Sequence, residues 1–255
     1  TPSRLADLVV FSDLNDLRPE SVYRSGRLVA ENGRMLAWDQ PSNKTKARGT
    51  INVCWEALDF KVPASSSRIR VIGMIPDQLV TRALVEEPTV RDGCIVSDPN
   101  RDLVKMAVVE RHFGTGRVGK GFLKGLGLKR GAIASTVAHD HHNIVVAGAD
   151  DESMDLAVHA IAEMQGGMAV VDGGRVLARL PLPIAGLMSD QPIGVVRAEY
   201  DQLISAAHTL GISIHDPFMA LGFMALSVIP HLKLTDLGLV DVDAFELTTL
   251  SVEGG

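Results

Sequence analysis

From residue 68 onward the chain reads as one short β-prone run after another: RIRVIGMI, TRALVEEPTV, GCIVSD and DLVKMAVVERH, the last two separated by the turn formers of SDPNRD. Few helical patterns interrupt them. Strands that follow one another without crossover helices pair antiparallel, so the sequence predicts an α+β fold: largely antiparallel sheet flanked by a few helices, and not a doubly wound sheet. Two stretches do carry a helical period. In DESMDLAVHAIAEMQ, Met154, Val158, Ile161 and Ala162 share one face, Asp150 or Asp151 can cap the start and Gly166-Gly167 ends it, with His159 as a partly buried helix residue. A second helix is predicted from about Ile193 to Leu210, with Val196, Tyr200, Leu203, Ile204, Ala207 and Leu210 at helical spacing. Between them GMAVVDGGRVLARLPLPIAG predicts a hairpin turning at Asp172-Gly173-Gly174. The apolar tail DPFMALGFMALSVIPHLKLTD is expected in the core, with Met219 and Met224 as packing residues and the segment around His231 and Asp236 as a loop.

The start of the chain is different. TPSRLADLVVFSDL begins inside a strand pattern, and SVYRSGRLVAENGRMLA places the turn signals Ser25-Gly26 and Asn32-Gly33 between β-prone runs. This predicts a small antiparallel β element over residues 1–45, the strands of a small β-sandwich subdomain, preceding an α+β domain over 46–255. Residues 39–67 are rich in turn formers and poor in periodicity, so a linker is expected there, with the boundary near residue 45.

A chain of 255 residues with 46% hydrophobic content and mean hydropathy +0.16 can bury a real core. The formal charge of −6, with no cluster of Lys and Arg, argues against nucleic acid as a partner. Cys54 and Cys94 belong to no paired motif, and no apolar run approaches the twenty residues of a membrane span. A reducing, cytoplasmic location is expected, with no membrane contact.

Candidate chemistry concentrates in GAIASTVAHDHHNIVVAGADDESMD, where His139, Asp140, His141, His142 and Asn143 stand between two apolar, β-branched runs. Two His residues two apart point to one side of a strand, so His139 and His141 could share a metal ion, completed by Asp140 or His142. The other histidines, His112, His159, His208, His215 and His231, show no paired spacing. The structural alternative is a turn in which His139 and Asp140 bond the backbone and Asn143 takes a left-handed conformation. Against it stands the density of groups that titrate or bond near neutral pH, which suggests the mouth of a site. GTGRVG, Gly114 to Gly119, matches a dinucleotide fingerprint with Asp140 about twenty residues on. The further glycines Gly121, Gly125, Gly127 and Gly131 oppose the helix that such a fingerprint must open, each by about 1 kcal/mol.

Three separated runs carry a family resemblance: ERHFGTGRVGKGFLKGLGLKRGAIASTVAHDHHNIVVAG, GGMAVVDGGRVLARLPLPIAGLMSD and LGISIHDPFMALGFMALSVIPHLKLTDLGLVDV. Together, over about residues 100 to 242, they resemble the C-terminal domain of bacterial and archaeal adenine deaminases. The opening RLADLVVFSDL...SVYRSGRLVAENGRM resembles the strands that follow the catalytic barrel in the amidohydrolase superfamily. The family's polar turn is similar to His-Asp-Ser-His-Asn; His139, Asp140, His142 and Asn143 match it, while His141 replaces a Ser. The resemblance implies hydrolysis of adenine to hypoxanthine and ammonia. It also implies Mn or Fe held by a (β/α)8 barrel that would precede residue 1, in cis or in trans, and a homo-oligomer. On that reading this chain alone is inactive or accessory, and His139, Asp140, His142 and Asn143 act in active-site closure. A self-contained hydrolase using the HDHHN cluster, or a non-catalytic interaction domain, is the alternative.

Overall fold

A computed structural model describes residues 4–37 and 47–252. Two compact units divide at Lys44 and Thr45. The boundary expected near residue 45 lies outside the described residues. The first unit is an antiparallel meander of β1 (Leu8–Val10), β2 (Ser21–Arg24), β3 (Arg27–Glu31) and β4 (Arg34–Met35). Ser25 and Gly26, then Asn32 and Gly33, take the positive φ that its two-residue hairpin turns require.

The second unit contains β5 (Ile69–Met74), β6 (Thr81–Glu86), β7 (Thr89–Arg91), β8 (Cys94–Val96), β9 (Leu103–Val109), β10 (Val118–Lys124), β11 (Ala132–Ser135) and β12 (Ile144–Gly148). It continues with α1 (Asp151–Glu163), β13 (Gly167–Asp172), β14 (Arg175–Pro181), α2 (Ile193–Thr209), α3 (Pro217–Phe223), β15 (Leu232–Thr235), β16 (Gly238–Asp241) and β17 (Glu246–Thr248). Eight strands form one sheet in the order β14-β13-β11-β12-β9-β10-β5-β6, antiparallel throughout except for the parallel pair β10 and β5. The α+β class expected from the succession of short strands is the fold observed. The run TRALVEEPTV is two strands, β6 and β7, separated at Glu87-Pro88, because proline cannot donate to the ladder.

Both faces of the sheet's central strands are covered. On β9, Val104, Met106 and Val108 point to a core completed by Leu203 and Ala207 of α2, Phe218 and Leu221 of α3, and Leu232 and Leu234 of β15. Ala107 and Val109 point to the opposite core, closed by Met154, Val158 and Ile161 of α1 and by Phe60. This two-sided burial leaves β9, β11 and β12 buried along their whole length, apolar but for Lys105 and Ser135, with no alternation to read. The α1 cap is Asp150, whose side chain accepts from the Ser153 amide (2.7 Å). His159 is exposed instead of partly buried, and its ring stacks on Trp55 with centroids 4.2 Å apart.

Residues 47–67 correct the linker expectation. Phe60 and Val62 are buried, Ile51, Val53 and Leu58 pack beside Phe60, and the Asn52 amide donates to the Arg111 carbonyl (2.7 Å). With a single turn of 3-10 helix at Trp55–Ala57 as its regular element the segment shows no period, yet it covers one face of the sheet. In the tail, Met224 is core while Met219 is 39% exposed, because α3 lasts only seven residues and turns that side chain outward. The segment read as a loop around His231 forms β15, with Asp236 in the turn that follows it.

The fingerprint-like glycines serve backbone packing. No helix follows GTGRVG; β10 begins at Val118. Gly114 and Gly116 adopt positive φ, and a Cβ on Gly119 would lie 1.8 Å from the Thr235 carbonyl oxygen. Among the described residues, no helix is long and apolar enough to cross a membrane.

Replacing Phe60 by Ala is expected to cost about 3 kcal/mol of stability in urea melts. A change below about 0.5 kcal/mol would return residues 47–67 to the status of an unpacked linker.

Candidate functional site: a histidine turn at one end of the sheet

β11 and β12 are consecutive, central and antiparallel, so the residues joining them emerge from the middle of the sheet at one end. The register pairs Ile144 with Val109 and Val109 with Val118, which brings the end of β9 and the start of β10 to the same place. The loop after β14 arrives there too, since Ser135 pairs with Met168 and Gly167 with Pro181. The polar turn is therefore surrounded by main chain from four directions.

Its histidines do different things. The His142 amide donates to the Ala138 carbonyl (2.7 Å), closing the turn, and His142 is the residue at positive φ (49°), not Asn143. The imidazole that bonds the backbone is His141: its Nδ1 accepts from the Asn143 amide (3.0 Å). Its Nε2 is buried and makes no hydrogen bond of ordinary geometry, with the Ala225 backbone nearby. His139 faces His142 edge-on, centroids 5.6 Å apart, and lies 5.5 Å from the Phe223 ring. The Nδ1 atoms of His139 and His142 are buried without a hydrogen-bond partner. Asp140 is exposed.

The pairing of His139 with His141 for a metal is not what the turn provides. Both residues lie in a turn and not on a strand, and one His141 nitrogen is committed to the main chain. Among the described residues, no three His, Cys, Asp or Glu side chains are grouped to hold a metal. The donor set does not fit Mn or Fe.

Asn143 is structural. Its Oδ1 accepts from the Arg111 amide (3.4 Å), and its Nδ2 donates to Asp236 (3.2 Å), which also pairs with Arg117 (2.7 Å). Three residues given no role by the sequence thus join the candidate site: Asp236, read as loop, Arg111, read within a β-prone run, and His112, read as an unpaired histidine, whose Nε2 meets the His141 carbonyl at 2.8 Å. Their signal was position. Glu110, Arg111 and His112 stand directly after the apolar run Met106–Val109 that ends β9, where a charge must be either exposed or fully satisfied.

Glu110 is satisfied. Its buried carboxylate accepts from the amides of His112 (2.6 Å), Phe113 (2.8 Å) and Thr115 (2.9 Å) and from the Thr115 hydroxyl (2.9 Å). Burial alone would raise its pKa, but these donors outweigh burial and hold it at about 2. Burial lowers the pKa of His142, as do His139, Arg111 and His112, while Asp140 opposes the shift. Burial likewise lowers that of His141, against the attraction of Asp236. Both imidazoles are neutral at pH 7. Beside the turn, a cleft of ≈ 230 Å³ opens between Leu79 and Asp77 on one wall and Ile214, Asp216, Met219 and Phe223 on the other, so Phe223 separates it from His139.

The fold and this cluster define an α+β domain that presents partly buried histidines from the centre of a two-faced sheet. The chain belongs to the adenine deaminase C-terminal domain family, whose model matches residues 78–246. It is 48% identical over 249 residues to an adenine deaminase of Desulfatibacillum aliphaticivorans, covering 98% of this chain and 44% of that protein. Adenine deaminase 2 of Carboxydothermus hydrogenoformans is 48% identical over 253 residues, with the same two coverages. An archaeal adenine deaminase, from Methanothrix thermoacetophila, is 44% identical over 254 residues, covering 99% of this chain and 44% of the relative. The chain thus spans less than half the length of these relatives.

Stability should depend on pH in two windows. His141 and His142, neutral when folded, bind fewer protons than the unfolded chain below its pKa of 6.5, so stability falls as pH drops below 6.5. Glu110 contributes fully above 4.5 and loses its contribution as pH falls toward 2. Urea melts across pH should show both slopes. Glu110→Gln should make the lower one shallower, leaving the share of Glu86 and the other carboxylates with lowered pKa, and cost about 2 kcal/mol at pH 7.

Proposed function

We propose that the complete protein is an adenine deaminase, hydrolysing adenine to hypoxanthine and ammonia in cytoplasmic purine salvage, and that this chain closes its substrate site. The names of the relatives support the reaction. The observation that carries this chain's part is the pair of buried, unpartnered Nδ1 atoms on His139 and His142, because polar atoms held dry without a partner are costly unless something bonds them. In this reading the metal, manganese or iron, is held by an amidohydrolase barrel in cis or in trans and not by residues of this chain. His139 and His142 bond polar atoms of the purine edge, Asp140 sits at the rim, Asn143 holds the turn, and the whole excludes water during the reaction.

In the full-length protein, His139→Ala and Asp140→Ala should each lower adenine turnover at least about tenfold while leaving the domain folded. Wild-type kinetics in both would sink the closure role. The isolated chain, assayed spectrophotometrically for adenine conversion with and without Mn²⁺, should show no turnover. Metal-dependent turnover abolished by His139→Ala would instead make the turn a catalytic centre in its own right.

A second role, self-association, is favoured by exposed apolar side chains on neighbouring elements: Val176 and Leu177 of the edge strand β14, and Ile193 and Val195 of α2. We propose a homo-oligomer through this surface. Sedimentation of a Leu177→Lys, Ile193→Lys variant should then give a smaller species than wild type.

A further inference from the structure

We infer that Arg111 is a positioning residue of the polar turn, a buried guanidinium that ties three loops together and thereby sets where the His142 imidazole points. The inference rests on the reading of His139 and His142 as purine contacts. Arg111 is 1% exposed, and its donors are spent on main chain from three directions. Nε donates to the His142 carbonyl (2.6 Å), Nη1 to the Thr50 carbonyl (3.0 Å) and hydroxyl (3.2 Å), and Nη2 to the Ala185 carbonyl (3.0 Å). The same residue's amide faces Asn143 Oδ1 and its carbonyl accepts from Asn52. Residue 111 therefore holds both His142 and Asn143, one through its side chain and one through its backbone.

None of these side-chain acceptors is a carboxylate. Burying a cation against neutral carbonyls is unfavourable compared with an apolar residue of similar size, so stability alone does not account for an arginine here. Geometry does. A rigid planar fork can bond three separate carbonyls at fixed, widely spread positions, whereas the three donors of a lysine radiate from one nitrogen and cannot span them. The loop after β14 is shaped around it, since a Cβ on Gly186 would lie 2.9 Å from the guanidinium carbon. His142, a non-glycine residue at φ 49°, sits in a sparsely populated conformation that persists only where its surroundings over-determine it. The Arg111 bond to its carbonyl is one such determinant. With its donors turned to main chain, the guanidinium acts through His142 and not on substrate.

The test uses the full-length protein. Arg111→Lys should lower kcat for adenine about tenfold or more with KM little changed, because a small displacement of a positioned group costs rate. Arg111→Ala should lose more, and added guanidinium ion should restore part of its kcat while doing nothing for His142→Ala. Wild-type kcat in Arg111→Lys, or a loss that only tracks the unfolded fraction and is not rescued, would overturn the inference. Should Arg111→Ala not fold, Arg111→Lys decides through its kcat and KM. Wild-type kinetics in His142→Ala would instead remove the closure reading beneath it, so the two failures are distinguishable.

Discussion

The structure depends on one constraint: the centre of its eight-stranded sheet is buried on both faces. β9, β11 and β12 have no exposed residue along their length, and successive side chains enter two different cores. A sheet of this kind, Lys105 apart, gathers its polar chemistry at the strand ends, where the backbone ladder stops and loops must satisfy what it leaves open. The hairpin β11-β12 occupies the centre of that sheet. Its connection therefore becomes the point where loops from β9, β10, β13 and β14 crowd together, and a run of polar residues placed there is enclosed without being in the core.

Enclosure explains how neighbouring opposite charges are tolerated. Glu110 and Arg111 are adjacent, yet each is neutralised by main chain: Glu110 by amides of its own loop, Arg111 by carbonyls of three others. Burial still lowers the Arg111 pKa to about 10, only partly countered by Glu110. Lys233 repeats the arrangement at the far side of Phe223. Its fully buried Nζ donates to the carbonyls of Leu79 (2.7 Å) and Phe223 (2.9 Å), and burial lowers its pKa to about 8. The main chain of Phe223, whose ring lies against His139, is thus held by a cation, just as the main chain of His142 is. Charged side chains used as main-chain clamps give positional precision at a cost in stability, a balance better suited to a site than to a scaffold.

The apolar runs announced a strand-rich α+β fold, and the two amphipathic helices and the Gly173-Gly174 hairpin were legible because each rests on a local rule. The density of His139 to Asn143 marked the centre of the polar cluster for the same reason. Its internal roles were not legible. Strand alternation suggested a His139 and His141 pair, but the turn gives His141 to the backbone and sets His139 against His142. Left-handed tolerance suggested Asn143, and closure of the turn placed it on His142.

What the sequence by itself determined is the menu of elements and the place where polar groups collect, since hydrophobic period, turn chemistry and caps act over a few residues. Strand order, the two-sided core and the joining of Thr50, Arg111, His142 and Ala185 were decided only by the tertiary structure. Those residues lie up to 135 positions apart, from 50 to 185. Nothing in a local window ties them, because the carbonyls that hold Arg111 belong to backbone that every residue carries alike, and only the packed sheet brings those carbonyls within reach.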